Sequence, residues 1–194
     1  SWSRSTLNRG IFADRGTSQS IAAEVSVPGS DLQFYKFIYN GERYFPITNN
    51  WTLRLRTELG FGGGYGDTPS LPFYEHFYGG GFGSIRGFEN STLGPRSTPP
   101  LDSEGNPVYF RDRNGDPFGG NLLVEATAEL IFPMPFVDDN RQFRPAFFVD
   151  AGNDFNTNCP KVSVNCFGLD ADNFRYSVGV GVSWLSGMGP LTFS

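Results

Sequence analysis

Read in steps of two, long stretches of the chain separate into an apolar and a polar face. Between Leu122 and Phe132 the even positions are Leu122, Val124, Ala126, Ala128, Leu130 and Phe132, whereas the odd ones include Glu125, Thr127 and Glu129. Tyr176, Val178, Val180, Val182 and Trp184 alternate with Arg175, Ser177, Gly179, Gly181 and Ser183. Trp51, Leu53, Leu55, Leu59 and Phe61 oppose Thr52, Arg54, Arg56 and Glu58, and Phe143, Phe147 and Val149 oppose Gln142, Arg144 and Asp150. A repeat of two is the repeat of a β-strand, whose side chains project alternately to two faces. Six strands are predicted, at Thr17–Val27, Leu32–Phe45, Trp51–Gly66, Gly120–Phe132, Phe143–Asn153 and Phe174–Leu185, with shorter strand stubs at Ser1–Leu7 and Leu191–Ser194.

Alternation alone also describes a soluble sandwich, so length and connections decide. Several segments reach the ten or so residues that a tilted strand needs to cross a bilayer, and sandwich strands are commonly shorter. Aromatics sit near the ends of the apolar face, as Trp51, Phe61, Phe132 and Trp184 do, in the manner of membrane-interface girdles. The polar face of Glu, Arg, Gly and Ser suits a wet barrel interior. Short turns around Phe45–Asn50, Pro133–Asn140 and Ser186–Pro190 alternate with the long connections Asp67–Phe118 and Asp154–Asn173. That asymmetry is typical of outer-membrane barrels. The expected fold class is therefore all-β, an antiparallel transmembrane β-barrel portion. Both ends read as cut in mid-strand, and an open sheet with an apolar outer face is an aggregation hazard by itself. The chain is thus expected to be the C-terminal part of a larger barrel.

Composition narrows the chemistry. The 194 residues carry 15 Lys and Arg against 20 Asp and Glu, a net charge of −5, which argues against nucleic acid as a partner. Aromatics make up 16 % and charged residues 18 %, far from the composition of disorder or of a helical bundle. No apolar run approaches the roughly 18 residues of a membrane helix, which leaves strands as the means of crossing. One His and two Cys cannot build a zinc cage or a site of several histidines, and no cofactor or metal is implied. Cys159 and Cys166 lie close together in a loop-like stretch, and in an oxidising compartment they are expected to pair as a disulfide. Asp112, Asn114 and Asp116 resemble the opening of a calcium loop, but no Glu closes it at the twelfth position, and a solvated turn explains them better.

The stretch Asp67–Phe118 is too long to be a mere connection. Its first half is rich in aromatics and glycine, including Phe73, Tyr74, Phe77, Tyr78, Gly79, Gly80, Gly81 and Phe82, and it continues into Ser84-Ile85-Arg86-Gly87-Phe88. Its second half is polar and Pro-rich, as a solvated tip would be. The aromatic half is expected to fold back into the lumen, and Arg86 then needs carboxylate partners. Parity places Glu125, Glu129 and Asp150 inward, and an arginine held by such acids is a strong positional lock. The competing reading is an exposed arginine in a mobile loop, worth little to stability.

The segments Pro72-Phe73-Tyr74-Glu75-His76-Phe77-Tyr78-Gly79-Gly80 and Ile85-Arg86-Gly87-Phe88-Glu89-Asn90-Ser91-Thr92-Leu93-Gly94-Pro95 closely resemble the sixth extracellular loop of the BamA family. These are the barrel subunits of the outer-membrane β-barrel assembly machine. The motif is usually Val-Arg-Gly-Phe, so Ile85 is a conservative departure. Likeness extends through Leu7–Phe12, Val27–Ser30, Phe132–Pro135 and Gly189–Leu191, in collinear order over nearly the whole chain. The resemblance implies a sixteen-stranded barrel preceded by periplasmic POTRA domains. About eight of its strands, from the eighth to the start of the fifteenth, correspond to residues 1–194. It also implies that Arg86 reaches the acids of the Ala128-Glu129-Leu130 and Phe148-Val149-Asp150-Ala151-Gly152 motifs, Glu129 and Asp150, with Phe88 and Phe82 packed beside it.

The implied function is folding and insertion of β-barrel proteins into the bacterial outer membrane. The implied partners are the lipid bilayer, unfolded outer-membrane proteins and the accessory lipoproteins of the assembly complex. A polypeptide-secreting transporter of the same superfamily shares the Arg-Gly-Phe triplet and is the main alternative. A barrel enzyme would have only His76 with Ser84 or Ser91 to build on, and nothing in the sequence brings a base, an acid and an oxyanion hole together. A passive porin lined by Arg54, Arg56, Glu58 and Glu125 would be obstructed by the aromatic loop.

Overall fold

A computed structural model describes all residues except 100, 101, 105, 107, 109–114, 135–141, 160–164 and 188. Eight strands form one antiparallel sheet in sequence order: β1 (Trp2–Ser5), β2 (Gly16–Val25), β3 (Phe34–Pro46), β4 (Thr52–Gly64), β5 (Leu122–Ile131), β6 (Phe143–Phe155), β7 (Arg175–Ser186) and β8 (Gly189–Phe193). Every strand pairs with its sequence neighbour, and β1 and β8 are the two edges of an open wall. Among the described residues, no helix is long and apolar enough to cross a membrane, which says nothing about crossing by strands.

The two expected stubs are thus the outermost strands. The other ends shift by a residue or two. β4 stops at Gly64 and not at Gly66, whose φ of +59° turns the chain away from the sheet. β6 runs on to Phe155 because Asp154 and Phe155 still find partners in Leu123 and Leu122.

The outward face is the apolar one. Ile21, Val25, Leu55, Leu59, Phe147, Val149, Val178 and Val180 are all exposed, and β-branched or aromatic residues in such rows fit a pleated surface. Aromatic pairs gather near both ends of the strands. Trp51 meets Phe132 at 5.7 Å, Phe132 stacks on Phe147 at 4.9 Å and Phe143 on Trp184 at 6.0 Å, near the short-turn end. Tyr35 meets Phe37 and Phe61 near the other. Two aromatic belts enclosing an aliphatic band is the pattern of a lipid-facing wall.

The inward face carries the polar set, and its register brings opposite charges level. Arg54 of β4 is paired with Glu129 of β5, and Tyr44 of β3 with Arg54. The wall is curved. In a flat sheet β2 and β6, four strands apart, would be separated by roughly 19 Å at the usual spacing. Yet Arg144 Nη1 of β6 donates to the Ala13 carbonyl in the β1–β2 turn at 2.5 Å. That turn folds inward, with Phe12 at φ +56° and its ring 5.0 Å from the Arg144 guanidinium.

The β4–β5 connection is not structureless along its length. A short 3-10 turn forms at Phe73–Glu75, and isolated bridges join Phe77 to Gly120 and Arg96 to Pro117. The turn expected at Pro133–Asn140 lies largely outside the described residues, as do Asp112 and Asn114 of the calcium-like stretch.

Candidate functional site

The loop enters the concave side of the wall and buries the first residue of its motif there. Ile85 is 1 % exposed, which explains an aliphatic residue at the first motif position. Gly87 has φ +84°, a conformation that L residues with a Cβ avoid, so the third position turns the chain directly after Arg86. Entry of the loop also needs room in the wall. A Cβ on Gly60 would come within 2.5 Å of the Phe77 ring, so the glycine leaves the space the ring fills.

Arg86 meets two acids from adjacent strands. Its Nε donates to Asp150 Oδ2 at 2.8 Å and its Nη2 to Asp150 Oδ1 at 2.7 Å, a bidentate pair. Its Nη1 donates to Glu129 Oε1 at 2.7 Å, and its backbone N–H donates to Asp150 Oδ2 at 3.1 Å. Ser177 Oγ adds a longer contact to the same carboxylate at 3.4 Å. Asp150 is fully buried, and the side chains of Arg86 and Glu129 are each only 11 % exposed. Phe148 lies opposite Glu129 in the β5–β6 register, so Glu129 and Asp150 are diagonal neighbours on one face, within the span of a single guanidinium. Burial opposes the Arg86 charge, but the hydrogen bonds it donates to Asp150 and Glu129 outweigh it and raise its pKa above the ordinary arginine value. A buried ion set of this kind is worth little as net energy and much as geometry, because removing one member leaves the others buried and unpaired.

The residues singled out in the sequence are therefore placed unequally. Arg86, Glu129 and Asp150 come together. Glu125, also inward, does not meet Arg86; it accepts the Ser84 hydroxyl, while Ser84 Oγ accepts the Gly80 N–H at 2.8 Å. The ring on the guanidinium is neither Phe82 nor Phe88. Phe148 of β6 stacks there at 3.5 Å, and Phe82 is 57 % exposed. Phe148 is inward by the parity of β6, but parity cannot say which inward ring the loop reaches. Cys159 and Cys166 are joined by a disulfide in the β6–β7 connection, away from Arg86 in the strand order. His76 uses its ring nitrogens against the carbonyls of Phe118 and Leu71, at 2.9 and 3.2 Å, with no serine bonded to it among the described residues.

Three contributors, Arg54, Glu42 and Asp154, escaped sequence reasoning. Glu129 Oε2, the oxygen that Arg86 leaves free, accepts from Arg54 Nη1 at 2.7 Å. Arg54 Nε in turn donates to Glu42 Oε1 at 2.6 Å. Both residues alternate correctly onto the inward face, but their pairing depends on register between strands. A second acid, Asp154, accepts the Gly79 N–H at 3.1 Å and is also fully buried.

An antiparallel wall with an apolar exterior, paired aromatic belts and a loop tethered inside by arginine defines a membrane β-barrel protein with an inward-folded loop. Comparison with known proteins carries the assignment further. The chain belongs to the Omp85 superfamily, whose domain matches residues 1–194. It is 36 % identical to the outer membrane protein assembly factor BamA of Neisseria meningitidis, over all of this chain and 25 % of that protein. It is 28 % identical to the mouse sorting and assembly machinery component 50 homolog, over 90 % of this chain and 35 % of that protein. The crystal structure of BamA from Haemophilus ducreyi lacking POTRA domains 1–3 superposes with a TM-score of 0.80 at 31 % identity, covering 99 % of this chain and 36 % of the other. The chain thus spans about a quarter to a third of the length of these relatives.

Proposed function

We propose that the protein to which this chain belongs folds and inserts β-barrel proteins into the bacterial outer membrane, and that residues 1–194 supply part of its barrel wall and the loop that braces it. The observation that carries the reading is collinear similarity over the whole chain to a protein named as an outer membrane protein assembly factor. The Arg86 clasp on Glu129 and Asp150 gives that similarity a physical content.

No side chain need catalyse a covalent step. A nascent strand entering lipid with unpaired N–H and C=O groups faces several kcal/mol for each. A protein that offers a sheet edge for strand addition removes that barrier. Such an edge must open and close while the remaining wall stays intact. A loop fastened to two adjacent strands from within holds the wall without occupying its lipid face. In this reading Arg86 is the anchor, Ile85 and Gly87 set its approach, and Glu129 and Asp150 receive it. The partners are the outer-membrane bilayer, unfolded outer-membrane proteins and accessory lipoproteins.

The test uses the full-length protein in liposomes with its accessory subunits. Folding of an added urea-unfolded barrel protein is followed by its mobility shift, with empty liposomes as the control. Acceleration that is lost in Arg86→Ala supports the role and links the clasp to it. No acceleration by the parent protein turns the reading toward polypeptide secretion. Acceleration undiminished by Arg86→Ala leaves the clasp out of the mechanism.

A further inference from the structure

The Arg86 clasp is one half of a longer chain of charges. From β3 to β6 the order is Glu42, Arg54, Glu129, Arg86 and Asp150, with alternating sign at every step. The links are 2.6 Å from Arg54 to Glu42, 2.7 Å from Arg54 to Glu129, 2.7 Å from Arg86 to Glu129, and 2.7 and 2.8 Å from Arg86 to Asp150. Tyr44 donates its hydroxyl to the same Glu42 oxygen at 2.9 Å, which fixes the far end.

Glu129 is the hinge of this arrangement. A glutamate has three side-chain torsions, and Arg86 engages only one of its oxygens. The other oxygen belongs to Arg54, which sits directly opposite in the β4–β5 register. A carboxylate held through both oxygens by two guanidinium groups cannot rotate without breaking a charge-assisted bond. We propose that Arg54 is a positioning residue for the loop clasp: braced by Glu42, it holds the Glu129 carboxylate in the orientation that receives Arg86. The inference rests on the clasp reading above and adds a wall residue whose guanidinium bonds Glu42 and Glu129 and, among the described residues, no residue of the loop motif.

This assignment differs from general support of the sheet. Backbone pairing of β4 with β5 extends over ten residue pairs, from Thr52 with Ile131 to Phe61 with Leu122, and does not depend on the Arg54 side chain. Losing Arg54 should therefore loosen the loop before it loosens the wall. It should also act only through Glu129.

The experiment measures the loop directly, in the full-length protein in detergent micelles, well below the temperature at which the barrel unfolds. Ile85 directly precedes Arg86 and is buried in the seated loop. Ile85→Cys provides a thiol that is shielded while the loop is seated, and its maleimide labelling rate, corrected for that of the protein without the added cysteine, reports release of the motif. Arg54→Ala is expected to raise that rate roughly tenfold, the scale of one lost hydrogen bond to a charged group. Arg54→Lys should fall between the two, because a lysine keeps the charge but not the forked geometry. In a Glu129→Gln background Arg54→Ala should add nothing further.

Labelling at the parent rate in Arg54→Ala, with Arg86→Ala raising it, overturns the role of Arg54 and leaves the clasp standing. Equal labelling in Arg86→Ala and the parent removes the clasp itself. Effects of Arg54→Ala and Glu129→Gln that simply multiply would also overturn the proposal, since Arg54 would then act elsewhere. Should Arg54→Ala fail to fold, Arg54→Lys and Glu42→Gln carry the test. Both are expected to raise the rate above the parent, and parent-like rates in both reject the proposal.

Discussion

The loop is seated on the wall at two places built on opposite principles. At the first, a cation enters a pair of acids, and Arg86 answers Asp150 and Glu129 with four hydrogen bonds. At the second, the donors that meet two acids among the described residues are neutral. Glu125 takes the Ser84 hydroxyl and Asp154 takes the Gly79 N–H. Asp154 Oδ2 is buried and finds no donor among the described residues, and a Cβ on Gly94 would lie 2.0 Å from it. The first seat selects by charge, so it should tolerate small changes of shape and fail when the guanidinium is lost. The second selects by closeness, so it should fail when a methyl group is added. Between Ser84 of the second seat and Arg86 of the first lies Ile85, which is buried.

The sharpest test of this contrast is Arg86→Ala. It leaves Asp150 and Glu129 buried with one cation fewer, and breaking a buried pair costs about 3–5 kcal/mol. A markedly lower thermal unfolding midpoint of the full-length barrel in detergent is expected, with Arg86→Lys recovering only part of the loss. An unchanged midpoint would mean that the charge seat bears no load. Next comes Gly94→Ala, which combines φ +81° with the overlap on the Asp154 carboxylate. Overpacking of this kind costs about 1–3 kcal/mol, and the loss should show in the same melting curve. Stability equal to the parent would show that the second seat yields easily.

Ser84→Ala is expected to cost about 1 kcal/mol, since it removes one hydroxyl between Gly80 and Glu125. Its clearest readout is faster hydrogen exchange of the Gly80 amide, with the Arg86 amide unaffected; if both amides exchange faster together, the two seats are one cooperative unit. The smallest effect is predicted for the double change of Cys159 and Cys166 to serine. Chain entropy assigns a loop of this size about 2.5 kcal/mol in the unfolded state, but the bridge lies in a connection that can open without the sheet. Protease cutting between β6 and β7 should quicken while the barrel midpoint moves little. A large fall in the midpoint would tie that connection to the wall.

Most of the wall could be read directly from the sequence. Alternation of apolar and polar residues is a property of the extended backbone, so the facing of Leu122–Ile131 or Arg175–Ser186 needs no knowledge of neighbours. Even the two edge strands left a trace as stubs. Strand ends are not set by alternation, because they depend on whether a facing strand still offers partners, as Leu122 and Leu123 do for the end of β6.

The contacts of the loop were decided otherwise. Parity places Glu125, Glu129 and Asp150 on one face and cannot rank them, and the motif resemblance pointed to two of the three. Which acid meets Arg86, and which ring lies on it, depends on how deeply a loop held at both ends descends into a curved wall. The Arg54–Glu129 pair shows the same limit. Each side chain faces inward by its own strand's alternation, but their meeting requires β4 and β5 to align in one register across 75 positions of chain. A shift of two residues would preserve every face and break that bond. Facing is a local property of the backbone; the partner is settled only when distant strands close on one another and the loop is packed between them.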